Sequence, residues 1–180
     1  MNYKKLAIPD VVLITPKVFG DERGFFLETF RRSEFQKYCG DYEFVQDNHS
    51  RSAHGILRGL HYQLQHTQGK LVRVIRGEVY DVAVDMRENS ETFGKWVGAY
   101  LSEHNKKMLW VPPGFAHGFY VTSAEAEFVY KCTDYYAPKY EVSLLWNDPD
   151  VSIEWPLMSA DPKLSEKDKS GFNFVDAPKL

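Results

Sequence analysis

Two short stretches hold most of the groups in this sequence that could move a proton or grip an anion. Between Gly55 and Lys70 lie Arg58, His61, His66 and Lys70, one arginine, two histidines and one lysine in sixteen residues. Between Pro112 and Gly118 lies His117, and Tyr130 follows downstream. The residues after the first stretch, Leu71 to Met86, read as two strands. Its polar groups therefore stand at the entrance to a sheet-rich core, where a buried cation or imidazole is costly unless something uses it. The two stretches read as two halves of one active site. A neutral imidazole there suits a general base, because its reference pKa of ~6.5 lies near working pH. A fixed lysine ammonium suits a developing oxyanion. A phenol, with a reference pKa of ~10, stays protonated at neutral pH and can donate.

The elements that must position these groups are mostly strands. Val11 to Pro16 reads as a short strand, and Phe19 to Phe30 as a turn followed by a strand. Ser33 and Gln36 have the spacing of a capping box for a short helix with Phe35 and Tyr38 on its apolar side and Gly40 at its end. Phe44 to His49 reads as extended and Ser50 to His54 as a polar loop. Leu71 to Arg76 and Val79 to Asp85, joined by Gly77 and Glu78, read as a hairpin or a sharp corner. In the second arm Val79, Asp81, Ala83 and Asp85 share one face, and Tyr80, Val82 and Val84 the other. Further strands are expected at Trp96 to Ser102, Lys107 to Val111, Gly118 to Thr122, Glu127 to Thr133 and Val142 to Trp146. Many short strands and few helices point to an all-β sandwich or barrel. The tail from Met158 reads as a short helix plus a loose end. With no repeat or linker, residues 1–180 are expected to form a single domain.

Composition narrows the classes. The chain has 180 residues, 43% hydrophobic and 15% aromatic. A net charge of -3 argues against a nucleic-acid binder, while leaving room for a small anion held by a few arginines and lysines. Cys39 and Cys132 are too few for a disulfide framework, which suits a reducing compartment. The N-terminus lacks the apolar run of a signal peptide, and no run approaches the ~20 apolar residues of a membrane span. A cytoplasmic protein with no membrane partner is expected.

Gly55 and His61 match the opening G-x5-H of the first cupin motif, and Pro112, Gly114 and His117 match P-x-G-x-x-H of the second. A metal cupin needs a second histidine two residues after the first, followed by a glutamate. Here Gln63 holds that position, and Lys70 stands where an acidic ligand is wanted. A lysine repels a cation, so no metal is expected. Taken together, the blocks Asp21–Phe26, Gln46–Ser50, Leu57–Gln63, Gly69–Arg73, Pro112–Gly118 and Leu145–Asp148 resemble the dTDP-4-dehydrorhamnose 3,5-epimerases, a metal-free cupin family. The resemblance spans about Leu6 to Phe172. It implies an all-β cupin jelly roll (a double-stranded β-helix) with a few short helices, and no cofactor. It also implies a homodimer in which one subunit's N-terminal region reaches the partner's site.

The family's reaction moves protons on both carbons flanking a 4-keto group of dTDP-4-dehydro-6-deoxy-D-glucose, giving the L-rhamnose precursor for lipopolysaccharide and other cell-surface polysaccharide. Inverting such a carbon needs a base, an acid on the opposite face and a group to hold the enolate oxygen. His61 is the candidate base. Its orienting carboxylate is either Asp168, which the resemblance implies, or Asp81. Tyr130, through the match at Val129 to Cys132, is the candidate acid, and Lys70 the enolate stabiliser. Diphosphate recognition calls for forked donors, which suits Arg23 and Arg58. Arg58 and His61 differ in strand parity, so both can face one pocket only if the strand distorts, and Gly59 could host a bulge. The resemblance further implies substrate contacts from Phe25, Glu28, Gln46, Asn48, His117, Glu141 and Lys167. His49, His54, His66 and His104 read as surface histidines. The alternatives are a single-carbon (C3 or C5) epimerase of a related sugar, a metal-dependent cupin oxygenase and a non-catalytic sugar-binding cupin.

Overall fold

The computed structural model describes residues 1–158 and 161–180. In chain order the strands are β1 (Asn2–Lys5), β2 (Val12–Thr15), β3 (Val18–Asp21) and β4 (Gly24–Leu27). Helix α1 (Arg32–Cys39) follows, then β5 (Gln46–Ala53), β6 (Leu57–Gln63), β7 (Lys70–Arg76) and β8 (Glu78–Asp85). Next come β9 (Trp96–Ser102), β10 (Met108–Val111), β11 (Phe115–Val121), β12 (Glu125–Cys132) and β13 (Glu141–Ser143), and last α2 (Glu166–Lys169). The strands form a six-stranded sheet ordered β1-β2-β10-β7-β12-β5, a five-stranded sheet ordered β13-β6-β11-β8-β9, and the separate hairpin β3-β4. Paired strands run antiparallel throughout these sheets. The fold is the jelly roll that the strand pattern and the cupin motifs imply.

Three apolar layers hold it. Between the two large sheets, Val72, Val74 and Phe128 meet Val79, Ala83 and Phe119. Behind the five-stranded sheet, Val82, Val84 and Leu144 pack under the C-terminal tail, where Ala177 is buried and Phe174 and Leu180 lie against the cluster. The tail is therefore no loose end. Its Leu180 amide donates to the Met86 carbonyl, and Tyr62 donates its hydroxyl to the Pro178 carbonyl at 2.5 Å. Behind the six-stranded sheet, α1 seats Phe35 edge-on against Trp110, ring centres 4.9 Å apart.

Two local expectations change and one alternative is decided. Helix α1 starts two residues early, with Arg31 at the N-cap and no side-chain cap, because Gln36 turns its amide to Asp41 rather than back to the helix start. Ser33 thus lies inside the first turn, while Gly40 ends the helix at φ +104° as its type allows. Residues 50–53 continue β5 rather than forming a loop, since Ser50 to Ala53 pair with Phe128 to Glu125. The link between β7 and β8 is the sharp corner, not the hairpin: β7 pairs β10 and β12, whereas β8 pairs β11 and β9. Among the described residues no helix is long and apolar enough to cross a membrane.

Candidate active site

Strand β6 supplies the centre of the site by departing from regular pairing. His61 lies opposite His117 and Arg58 opposite Phe119, so three steps on β6 meet two on β11. The extra residue falls at Gly59, whose φ is +112°. A Cβ there would come within 2.6 Å of the Gly118 Cα and the His117 carbonyl oxygen, so only glycine fits. The bulge turns Arg58 and His61 to the same side, as their parity requires. Both line a cavity of about 520 Å³ together with Lys70, His117, Tyr130, Lys167 and Asp168.

His61 Nε2 lies 2.5 Å from Asp168 Oδ1. Asp168 sits in α2 and also accepts from the Ser165 hydroxyl at 2.7 Å. Burial works to raise its carboxyl, but the hydrogen bonds from His61 and Ser165 outweigh it and hold the group below the usual carboxylate range. The other ring nitrogen, Nδ1, has Glu141 Oε1 at 3.9 Å. Glu141 is itself held by Lys167 Nζ at 2.6 Å and by the Tyr136 hydroxyl at 2.8 Å. Burial again pushes upward, and those two donors bring Glu141 down. The two carboxylate candidates for orienting His61 are thereby separated: Asp168 contacts it, whereas Asp81 binds His117 Nε2 with both oxygens at 3.0 Å. Burial drives the Asp81 carboxyl above its ordinary range despite His117 and Lys70 nearby.

The opposite wall comes from the six-stranded sheet. The side chain of Lys70, on β7, makes no hydrogen bond or ion pair among the described residues, and burial lowers its ammonium below the ordinary lysine value. Tyr130, on β12, is pushed up to about 12, chiefly by burial, and so stays protonated. Arg58 is braced by the Ser52 hydroxyl at 2.9 Å.

The remaining candidates divide. Glu141 lines a small recess behind His61, with Gln63, Gln68, Lys70 and Tyr136. Gln46 and Asn48 lie on β5 opposite Cys132 and Tyr130; Gln46 accepts the Tyr136 amide at 2.9 Å and Asn48 donates to the Cys132 sulfur. Arg23, Phe25 and Glu28 do not reach the cavity of their own chain. Arg23 folds back onto Asp21, Glu28 pairs with Arg31, and Phe25 is 62% exposed on the β3-β4 hairpin. Tyr136 and Ser165 escaped the sequence reading. The doubled tyrosine at 135–136, exposed in a polar turn, was the available signal for the first; the short N-cap spacing from Ser165 to Asp168 was the signal for the second.

Among the described residues no group of three or more His, Cys, Asp and Glu is placed to hold a metal ion. The donor set explains this: the imidazoles of His61 and His117 each face a carboxylate, and the Gln63 amide is committed to backbone groups.

Comparison with known proteins agrees with this geometry. The family model for dTDP-4-dehydrorhamnose 3,5-epimerase matches residues 5–176. The dTDP-4-dehydrorhamnose 3,5-epimerase of Pseudomonas aeruginosa is 58% identical over 178 residues, 98% of either chain. That of Shigella flexneri is 58% identical over 179 residues, again 98% of each. The crystal structure of dTDP-6-deoxy-D-glucose-3,5-epimerase from Legionella pneumophila, in complex with dTDP-4-keto-L-rhamnose, superposes with a TM-score of 0.95 at 52% identity, covering 98% of this chain and 94% of that one. With the match running through both cupin motifs, both walls of the cavity and α2, the chain belongs to the dTDP-4-dehydrorhamnose 3,5-epimerase family.

Proposed function

We propose that this protein epimerises C3 and C5 of dTDP-4-dehydro-6-deoxy-D-glucose, giving dTDP-4-dehydro-L-rhamnose. The observation that carries the reading is the origin of the reacting groups on facing sheets. His61 belongs to the five-stranded sheet, Tyr130 and Lys70 to the six-stranded one, and the cavity lies among them. A ring held there has a base on one face and an acid on the other, which is what inversion of a carbon requires. With Nε2–H given to Asp168, Nδ1 of His61 takes the proton from the carbon beside the ketone. The C–H electron pair becomes the enolate, whose oxygen the unpaired Lys70 ammonium stabilises. Tyr130 then returns a proton to the opposite face. No electrons are gained or lost, so the reaction needs no redox cofactor.

Arg58, His117 and Lys167 bind the sugar and diphosphate. Gln46, Asn48 and Glu141 hold the mouth of the site, and residues 1–180 act as one cupin domain. The β3-β4 hairpin of a second copy supplies Arg23, Phe25 and Glu28. What supports this exchange is that the hairpin exposes Phe25 and Phe26 and stands clear of its own cavity. The ligand named in the Legionella complex supports a nucleotide-linked keto sugar as substrate.

The test is NMR of the 4-keto-6-deoxy sugar nucleotide in heavy water with the protein and a chelator. Deuterium at C3 and C5 is expected. Deuterium at one carbon would make this a single-site epimerase, and binding without exchange would make it a sugar-binding cupin.

A further inference from the structure

Gln63 occupies the position where a metal cupin carries its second histidine, yet its amide is fully used. The side chain is 4% exposed. Its Nε2 donates to the His66 carbonyl at 2.7 Å and the Tyr135 carbonyl at 3.3 Å, and its Oε1 accepts the Ala137 amide at 2.8 Å. Only this orientation of the amide satisfies all three partners. Two more glutamines act on the same segment. Gln68 Nε2 donates to the Asp134 carbonyl at 2.8 Å, and Gln46 Oε1 accepts the Tyr136 amide at 2.9 Å. Four successive residues, 134 to 137, are thus held through their backbones by glutamine side chains from β5, β6 and the turn before β7. A turn with no regular secondary structure thus has its backbone groups satisfied by side chains.

The fixed segment carries Tyr136, whose hydroxyl donates to Glu141. Glu141 lies directly opposite Gln63 in the β13-β6 pairing, on the same face as His61 two residues away. Its Oε1 lies 3.9 Å from His61 Nδ1. A chain of hydrogen bonds therefore runs from the Gln63 amide through the turn and Tyr136 to Glu141, whose carboxylate stands 3.9 Å from His61 Nδ1.

We propose that Gln63 is a positioning residue, which sets the 134–137 turn and through Tyr136 and Glu141 fixes the imidazole of His61. The proposal rests on reading His61 as the base. On it, a position that in metal cupins serves an ion has become a brace for an organic base.

The test is a set of variants assayed by steady-state kinetics and by NMR of 15N-labelled histidine. Gln63→Met keeps the volume and removes the amide. It is expected to lower kcat by about tenfold, since a catalytic group displaced by a fraction of an ångström loses reactivity before the ligand loses affinity. KM should change less than about threefold, and the His61 ring signals should broaden. Tyr136→Phe, on an exposed turn, should move both readouts the same way and decides the matter if Gln63→Met fails to fold. In a Glu141→Gln background, Gln63→Met should add no further loss of kcat, because the chain is already cut. Full multiplication of the two losses, or an unchanged kcat in folded Gln63→Met, would overturn the proposal. His61→Asn separates the two levels: retained exchange in that variant would overturn the base assignment itself, whatever Gln63 does.

Discussion

Two histidine–carboxylate pairs face the same cavity, and they are built differently. His117 and Asp81 lie on adjacent strands β11 and β8, both are buried, and the carboxyl is pushed up by desolvation. His61 sits on the bulged β6, has the Glu141 carboxylate 3.9 Å from Nδ1, and takes a second carboxylate at Nε2 from α2, 107 residues away. There, hydrogen bonds hold Asp168 ionised. The same residue types thus meet opposite electrostatic conditions at the two pairs. What differs is the balance at the carboxyl: desolvation prevails at Asp81 and raises it, whereas hydrogen bonds prevail at Asp168 and lower it.

The largest expected effect tests that difference directly. His61→Asn should cost about 10³-fold in kcat, the scale of a lost general base, and abolish deuterium exchange. His117→Asn should cost about tenfold and leave exchange measurable. Equal losses would break the comparison.

Lys70 comes next, since it faces both pairs. Lys70→Met should lower kcat by about 10²-fold. It should also raise the melting temperature by a few degrees, because a desolvated ammonium without a partner is removed; about 1 kcal/mol corresponds to ~2–4 °C at this size. Because burial lowers the lysine, its charge is lost on the alkaline side below the ordinary lysine value. Wild-type kcat/KM should therefore fall there, while Tyr130 remains protonated to about 12. Lys70→Arg should abolish that limb, read from pH–rate profiles.

The smallest effects separate the carboxylates by sign. Asp168 is depressed in the fold, so its stabilisation is present above the unfolded value (~3.9) and is lost as pH falls through the folded one. Asp81 is raised, so its contribution is present below the unfolded value and is lost as pH rises through the folded one. On acidification in urea titrations, the stability gap between wild type and Asp168→Asn should close. The difference between wild type and Asp81→Asn should move the opposite way.

Much of this was legible in the residue order. The alternation in β8 put Asp81 on one face with Val79 and Ala83, and the structure shows that face turned inward, with Asp81 beside His117. The parity conflict between Arg58 and His61 pointed to a bulge at Gly59, where the register does shift. These are local rules of a pleated strand, and they carry over a few residues. The choice between Asp81 and Asp168 was not legible from the residues alone, because strand parity says nothing about which distant segment crosses the mouth of the barrel. The capping spacing at Ser33 misled, because Asp41 competes for Gln36. The glutamine brace was invisible, since its three members are separated in sequence and converge only on a turn.

The carboxylate that contacts His61 is carried by a strap, not by a sheet. Lys163 is tied to Gly55 and Leu57 at one end, and Phe172 to Ser143 and Leu145 at the other. Between these ties the strap meets β6 and β13 through Asp168 to His61 and Lys167 to Glu141. Opening of that one segment removes Asp168, Lys167 and a wall of the cavity together, while both sheets keep their pairing. Such a segment is a cooperative unit with its own, smaller free energy of opening. The state that holds the Asp168–His61 contact is therefore expected to have a stability distinct from that of the jelly roll, with activity lost on warming before the sheets melt.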